Sequence, residues 1–136
     1  MSFNAYLGFN GNCAEAFRYY EKHLGGRIDA LLPHRDTPAA AQTPPEWQDK
    51  IIHASMTLNG TILMGGDAPP QMYQPPAGFS VNITTATPEE AERVFAALSD
   101  GGKVSVPIAE TFWAQRFGMA TDRFGVPWMV NCFKPM

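Results

Sequence analysis

The stretch "NAYLGFNGNCAEAFRYYEKHLGG", residues 4–26, holds a short alternating segment followed by a helical one. Ala5, Leu7 and Phe9 alternate with Asn4, Tyr6 and Gly8, the period of a strand with one packed face. Asn12 and Glu15 then stand at capping-box spacing, and Ala16, Phe17, Tyr20 and Leu24 form a stripe at helical spacing. Gly25 and Gly26 end the helix. The same grammar returns in "FSVNITTATPEEAERVFAALSDGG", residues 79–102. Phe79, Val81 and Ile83 alternate with Ser80, Asn82 and Thr84. Thr87 caps, Pro88 takes the first helical position and Glu90 completes the box. Ala91, Val94, Phe95 and Leu98 supply the stripe, and Gly101 and Gly102 stop it.

Outward from each strand–helix pair, the spacing predicts three more strands. After the first come "RIDALL" (27–32), "KIIHASMTL" (50–58) and "TILMGG" (61–66), the last two joined at Asn59-Gly60, a hairpin signal. After the second come "KVSVPIA" (103–109), "FWAQRFGMAT" (112–121) and "VPWMVNCF" (126–133), the last two joined through the turn "DRFG" (122–125). The chain therefore reads βαβββ twice, an α+β fold. Module one covers about residues 1–66, a proline-rich connector "DAPPQMYQPPAG" about 67–78, and module two about 79–136. The first module carries an extra long loop, "PHRDTPAAAQTPPEWQ" (33–48).

Composition narrows the function classes. Apolar residues make up 45% of 136, enough for a core, and the net charge of −3 without a basic run argues against nucleic acid and anionic membrane as partners. No apolar stretch reaches the roughly 20 residues that span a bilayer. The N-terminus lacks the pattern of a secretion signal, and Cys13 and Cys132 form no CxxC, so a cytoplasmic chain with free, inert thiols is expected.

Three segments together, "GNCAEAFRYYEKHLGG", "IIHASMTLNGTILMGGDA" and "ETFWAQRFGMATDRFGVPWMVN", resemble the PhnB-like family. That family sits in the vicinal oxygen chelate superfamily with glyoxalase I, bleomycin-resistance proteins and extradiol dioxygenases. The resemblance implies a cup-shaped mixed sheet built by the two modules, with helices outside, and a homodimer. Metal-dependent relatives place His or Glu on the first and last strands of each module. Carried over, those positions are Asn4, Met64, Ser80 and Met129, none of them a good ligand for a hard or borderline divalent metal. No cofactor is therefore expected. Many PhnB-like proteins carry a 3-demethylubiquinone methyltransferase label. The glycine pairs here follow helices or end a hairpin strand, and none makes the Gly-rich turn between strand and helix of a nucleotide site.

The residues left to carry chemistry are few. His23 suits the last turn of a helix, and His34 starts the long loop. His53 shares a strand face with Ser55 and Thr57, which the resemblance turns toward the cup; it reads as a general base, a ligand or donor, or a histidine satisfied within the sheet. Glu110 lies in the "ExFWxxR" segment and would form an acid–base or partial metal pair with His53 if their strands adjoin. Arg116 would either grip a carboxylate or phosphonate or bridge to Asp122. Trp113 would wall a pocket, whereas Trp128 alternates with Val126, Val130 and Cys132 and reads as core. Asn4, Tyr6, Met64, Ser80, Asn82 and Met129 would line the same cavity. The function expected is small-molecule binding in the cup, of an apolar or aromatic ligand, without a strong metal site. The alternatives are a metal-dependent lyase or dioxygenase using His53 and Glu110, and a purely structural homodimer with a filled cup.

Overall fold

Alternating apolar residues place one strand face against a helix in each half, and the elements follow. The computed structural model describes residues 1–135. The chain divides into two units, Met1–Gln74 and Pro75–Met136, with the boundary inside the proline-rich connector. The first unit runs β1 (Ala5–Phe9), α1 (Cys13–Leu24), β2 (Arg27–Pro33), β3 (Ile51–Leu58) and β4 (Thr61–Asp67). The second runs β5 (Val81–Thr84), α2 (Pro88–Ser99), β6 (Lys103–Ala109), β7 (Ala114–Thr121) and β8 (Pro127–Phe133). Each unit is thus βαβββ, and each sheet is mixed. The orders are β1-β4-β3-β2 and β5-β8-β7-β6. In both, the first strand pairs parallel with the last, and the other pairs are antiparallel.

The first core holds Leu7, Phe9, Ala54 and Met56 of the sheet against Cys13, Ala16, Phe17 and Tyr20 of α1, all buried. The Phe9 and Phe17 rings meet edge-on with centroids 6.1 Å apart. In the second, Ala91, Val94, Phe95 and Leu98 of α2 are buried, as are Ala114, Ala120, Trp128, Val130 and Cys132 of the sheet. One glycine in each sheet lets the helix come close. A Cβ at Gly65 would lie 2.9 Å from the Phe17 ring, and one at Gly118 would lie 2.7 Å from the Phe95 ring.

The helix ends differ from expectation at one point. Thr87 does cap α2, its hydroxyl accepting from the Glu90 amide at 3.1 Å. Asn12 makes no side-chain cap hydrogen bond to α1. A carboxylate from the far end of the unit does that work: Asp67 Oδ1 accepts from the Cys13 amide at 3.0 Å, and Oδ2 from the Ile51 amide at 2.8 Å. Asp67 is therefore the last residue of β4, not the start of the connector. A buried carboxylate at a helix N-terminus also meets the positive end of the helix dipole. The α1 end is as read, with Gly25 left-handed at φ 83°. Strand β5 starts at Val81, so Phe79 lies outside it and is exposed.

The long loop is not featureless. Three short 3₁₀ turns, His34–Asp36, Pro38–Gln42 and Pro45–Trp47, fold it on itself. The Gln48 amide donates to the carbonyls of Ala40 at 3.0 Å and Thr43 at 2.8 Å. His34 Nδ1 meets the Lys50 carbonyl at 2.8 Å, and Lys50 Nζ donates to the Gly11 carbonyl at 2.8 Å.

Candidate functional site

Because side chains alternate along a strand, the residues between the core positions share the sheet face opposite α1. In the first unit the cross-strand pairs make two rows on that face. One runs Tyr6, Met64, Ser55, Ala30. One pleat further on lie the pairs Gly8–Gly66 and Leu32–His53. The Tyr6 hydroxyl is 3.3 Å from the Ile52 carbonyl, to which it donates, and 3.5 Å from His53 Nδ1. The two rings stack with centroids 5.9 Å apart at 28°. With Nδ1 turned to the phenol, Nε2 is the imidazole nitrogen left for a ligand.

Two glycines complete this arrangement. A Cβ at Gly66 would lie 3.0 Å from the Tyr6 oxygen and 2.9 Å from the Ile52 carbonyl oxygen, so only glycine lets the phenol settle there. Across from it, a Cβ at Gly8 would meet nothing within 4 Å. At Gly8 the face beside Tyr6 and His53 is thus bare backbone under open space, while the phenol covers Gly66. Tyr6 itself is 54% exposed and so partly buried, with its hydroxyl turned to the Ile52 carbonyl. That burial pushes the phenol above its ordinary value, with the Cys13 sulfur adding to the effect, so it stays a donor.

The second unit repeats the register with other chemistry. Asn82 stands opposite Met129 as Tyr6 stands opposite Met64, and Thr84 opposite Asn131 as Gly8 opposite Gly66. Met64 and Met129 are therefore equivalent, as expected, but their strand neighbours are Tyr6 and Asn82. Asn4 and Ser80 precede β1 and β5, and the Asn4 amide reaches the Ile62 carbonyl at 3.4 Å.

The "ExFWxxR" residues have partners of their own. Glu110 pairs with Lys134 at 3.0 Å. That ammonium, by hydrogen bond and charge, holds the carboxyl below the ordinary glutamate range, and Arg116 adds to the pull. Arg116 reaches Glu92 on α2 at 2.9 Å. Asp122 serves the turn: its Oδ1 accepts from the Phe124 and Val126 amides at 2.9 Å each, and its Oδ2 from Trp128 Nε1 at 2.8 Å. Trp128 is buried core, as its alternation implied. Trp113 packs edge-on against Phe112 and Phe117, centroids 4.8 and 5.2 Å away. His53 belongs to the first unit and Glu110 to the second. His23 packs on the Tyr19 ring at 4.2 Å.

Among the described residues, no group of three His, Cys, Asp or Glu side chains could hold a metal ion. Nor is any helix long and apolar enough to cross a membrane. The glycine positions that frame Tyr6, and Asn131, which stands on β8 across from Thr84 of β5, were not legible as site features. Their signal is cross-strand register, and the sequence carries only the strand period.

Known proteins share this chain's whole length. Protein YjdN of Escherichia coli (strain K12) is 36% identical over 142 residues, covering 98% of this chain and 97% of its own. The crystal structure of protein PA1353 from Pseudomonas aeruginosa is 46% identical, covers 99% of both chains and superposes with a TM-score of 0.90. The PhnB protein from Bacillus cereus is 25% identical, covers 97% of this chain and 99% of its own, and has a TM-score of 0.78. A glyoxylase/bleomycin resistance protein/dioxygenase domain from Frankia sp. EAN1pec is 12% identical with a TM-score of 0.65, a likeness of fold. The sequence model of 3-demethylubiquinone-9 3-methyltransferase matches residues 2–131, and the chain belongs to that PhnB-like family.

Proposed function

We propose that the protein binds a small apolar or aromatic molecule, and that the open face of the first sheet is where it does so. The observation that carries this reading is the bare backbone at Gly8, beside Tyr6 and His53. Gly8 has neither a positive φ nor a neighbour that would forbid a side chain. Glycine inside a strand weakens it and often marks close approach of a ligand. A flat group laid on that backbone would meet the phenol and imidazole at its edge and the Met64 thioether beside it. Trp113, Ser80, Met129 and Arg116 are the second unit's candidates for further contacts, and a homodimer is the assembly expected.

The family description names a methyl transfer, and the geometry gives it no support. The strand-to-helix turns are Asn10-Gly11-Asn12 and Thr85-Ala86-Thr87, neither of them the Gly-rich turn that seats a nucleotide-bearing donor. His53 and Glu110 fall short of the usual three protein ligands of a catalytic zinc.

The test is a thermal-shift screen of aromatic and apolar compounds against protein stripped with chelator, repeated with Tyr6→Ala and Gly8→Val. The expected hits raise Tm in the parent protein and not in either variant. Elemental mass spectrometry runs alongside. Stoichiometric Zn, Mn, Ni or Fe that disappears in His53→Ala would overturn the metal-free reading and favour a lyase or oxygenase.

A further inference from the structure

The second unit holds a buried amide with an unanswered oxygen. Asn131 is 5% exposed and lies on the sheet face opposite α2, since Trp128, Val130 and Cys132 take the core face. Its Nδ2 donates to Asn82 Oδ1 at 2.5 Å, and Asn82 Nδ2 in turn donates to Thr84 Oγ1 at 3.1 Å. Asn131 Oδ1 is buried with no hydrogen-bond partner among the described residues. Turning this amide over by itself would set its oxygen against Asn82 Oδ1, two acceptors with no donor between them, so the nitrogen faces Asn82 and the oxygen is the orphan. A buried polar atom left unmatched is costly, so such an atom in a native protein asks for a partner. The fold does not ask for this amide. The equivalent position of the first unit, opposite Gly8 as Asn131 is opposite Thr84, is Gly66.

The surroundings say what kind of partner would fit. Phe117 stands across from Asn131 on β7, and Met119 stands across from Met129. Trp113 packs on Phe117. The oxygen therefore sits at the edge of an apolar surface of thioether and aromatic side chains, and Asn82, which is exposed, opens the cluster to solvent. Burial disfavours a charged partner. We infer that Asn131 Oδ1 receives a hydrogen bond from a neutral ligand that carries one N–H or O–H donor on a flat apolar body, seated against Met119, Met129 and Phe117. This rests on the reading that the protein binds a small apolar or aromatic molecule, and it adds the chemistry that the second unit would select.

Indole and N-methylindole make the test, because the second lacks the donor. Binding is read from the methionine methyl NMR signals, with Met119 and Met129 reporting on this site and Met64 on the first unit. Indole is expected to shift Met119 and Met129 with an affinity roughly tenfold above that of N-methylindole. Asn131→Leu, which fills the position without an acceptor, is expected to bind the two alike. Asn131→Gly copies the first unit's residue and gives the same readout should the leucine variant fail to fold. Equal binding of both probes to the parent protein would overturn the inference. So would a preference for indole that survives both substitutions. Silence at Met119 and Met129 would overturn it as well, and would point to a bound water as the partner of Oδ1. In that case shifts at Met64 would leave the first-unit reading standing, and silence there too would count against both.

Discussion

Glu110 and Cys13 show how different surroundings push two acidic groups opposite ways. Lys134 stabilises the ionised form of Glu110, so its folded value lies below its unfolded one. Whatever stability this pair adds is present above the ordinary glutamate value near 4.3 and is lost as pH falls through the folded value. An NMR titration of the side-chain carboxyl is expected to give a midpoint below the ordinary range, and Lys134→Met is expected to move it up. An unmoved midpoint would mean that the pair seen at 3.0 Å is not held in solution. At Cys13 the charged form is the disfavoured one. Burial raises the thiol first and the Asp67 carboxylate second, so it remains protonated and unreactive.

At the scale of elements, the two glycines that admit a helix and the one that admits nothing make opposite predictions. Gly118→Ala would press a methyl against the Phe95 ring and against Ile108 Cα at 3.1 Å. Overpacking of that kind costs about 1–3 kcal/mol, read as a lower urea midpoint at unchanged slope. Gly8→Ala meets open space and is expected to be neutral or to raise stability by about 0.5–1 kcal/mol, since glycine weakens a strand. Equal losses at the two positions would mean that Gly8 is needed by the fold. The strands and helices themselves were readable because alternation, helical stripes and terminal Gly-Gly pairs act over a few residues. Asp67 and Arg116 were not. The amide that Asp67 caps is 54 residues away, and the carboxylate that Arg116 meets is 24 away. Local pattern cannot say which of several polar groups will meet once the sheet has formed, which is why Asn12 seemed the cap and Asp122 the partner. Asn131 is the same case: its hydrogen-bond partner Asn82 is 49 residues away, across the pairing of β5 with β8.

At the scale of the whole molecule, the connector between the units is an exposed segment that no strand ladder holds. Met72 within it is 69% exposed. The loop of the first unit is longer, but its side chains and 3₁₀ turns tie it down. Brief chymotrypsin treatment is therefore expected to cut first at Met72 or Tyr73 and leave two fragments. A first cut at Trp47 would show that the loop opens more readily. The parallel pairing of first and last strands bears on how the chain is made. Ala5 is paired with Leu63, so β1 waits through the synthesis of almost the whole unit before its partner exists. Until β4 has left the ribosome, β2 and β3 can form a hairpin, while the edge of β1 and the apolar side of Leu7 and Phe9 stay uncovered. The nascent chain thus carries a sticky strand for longer than that strand's short span suggests. Slow translation across the long loop would extend that exposure.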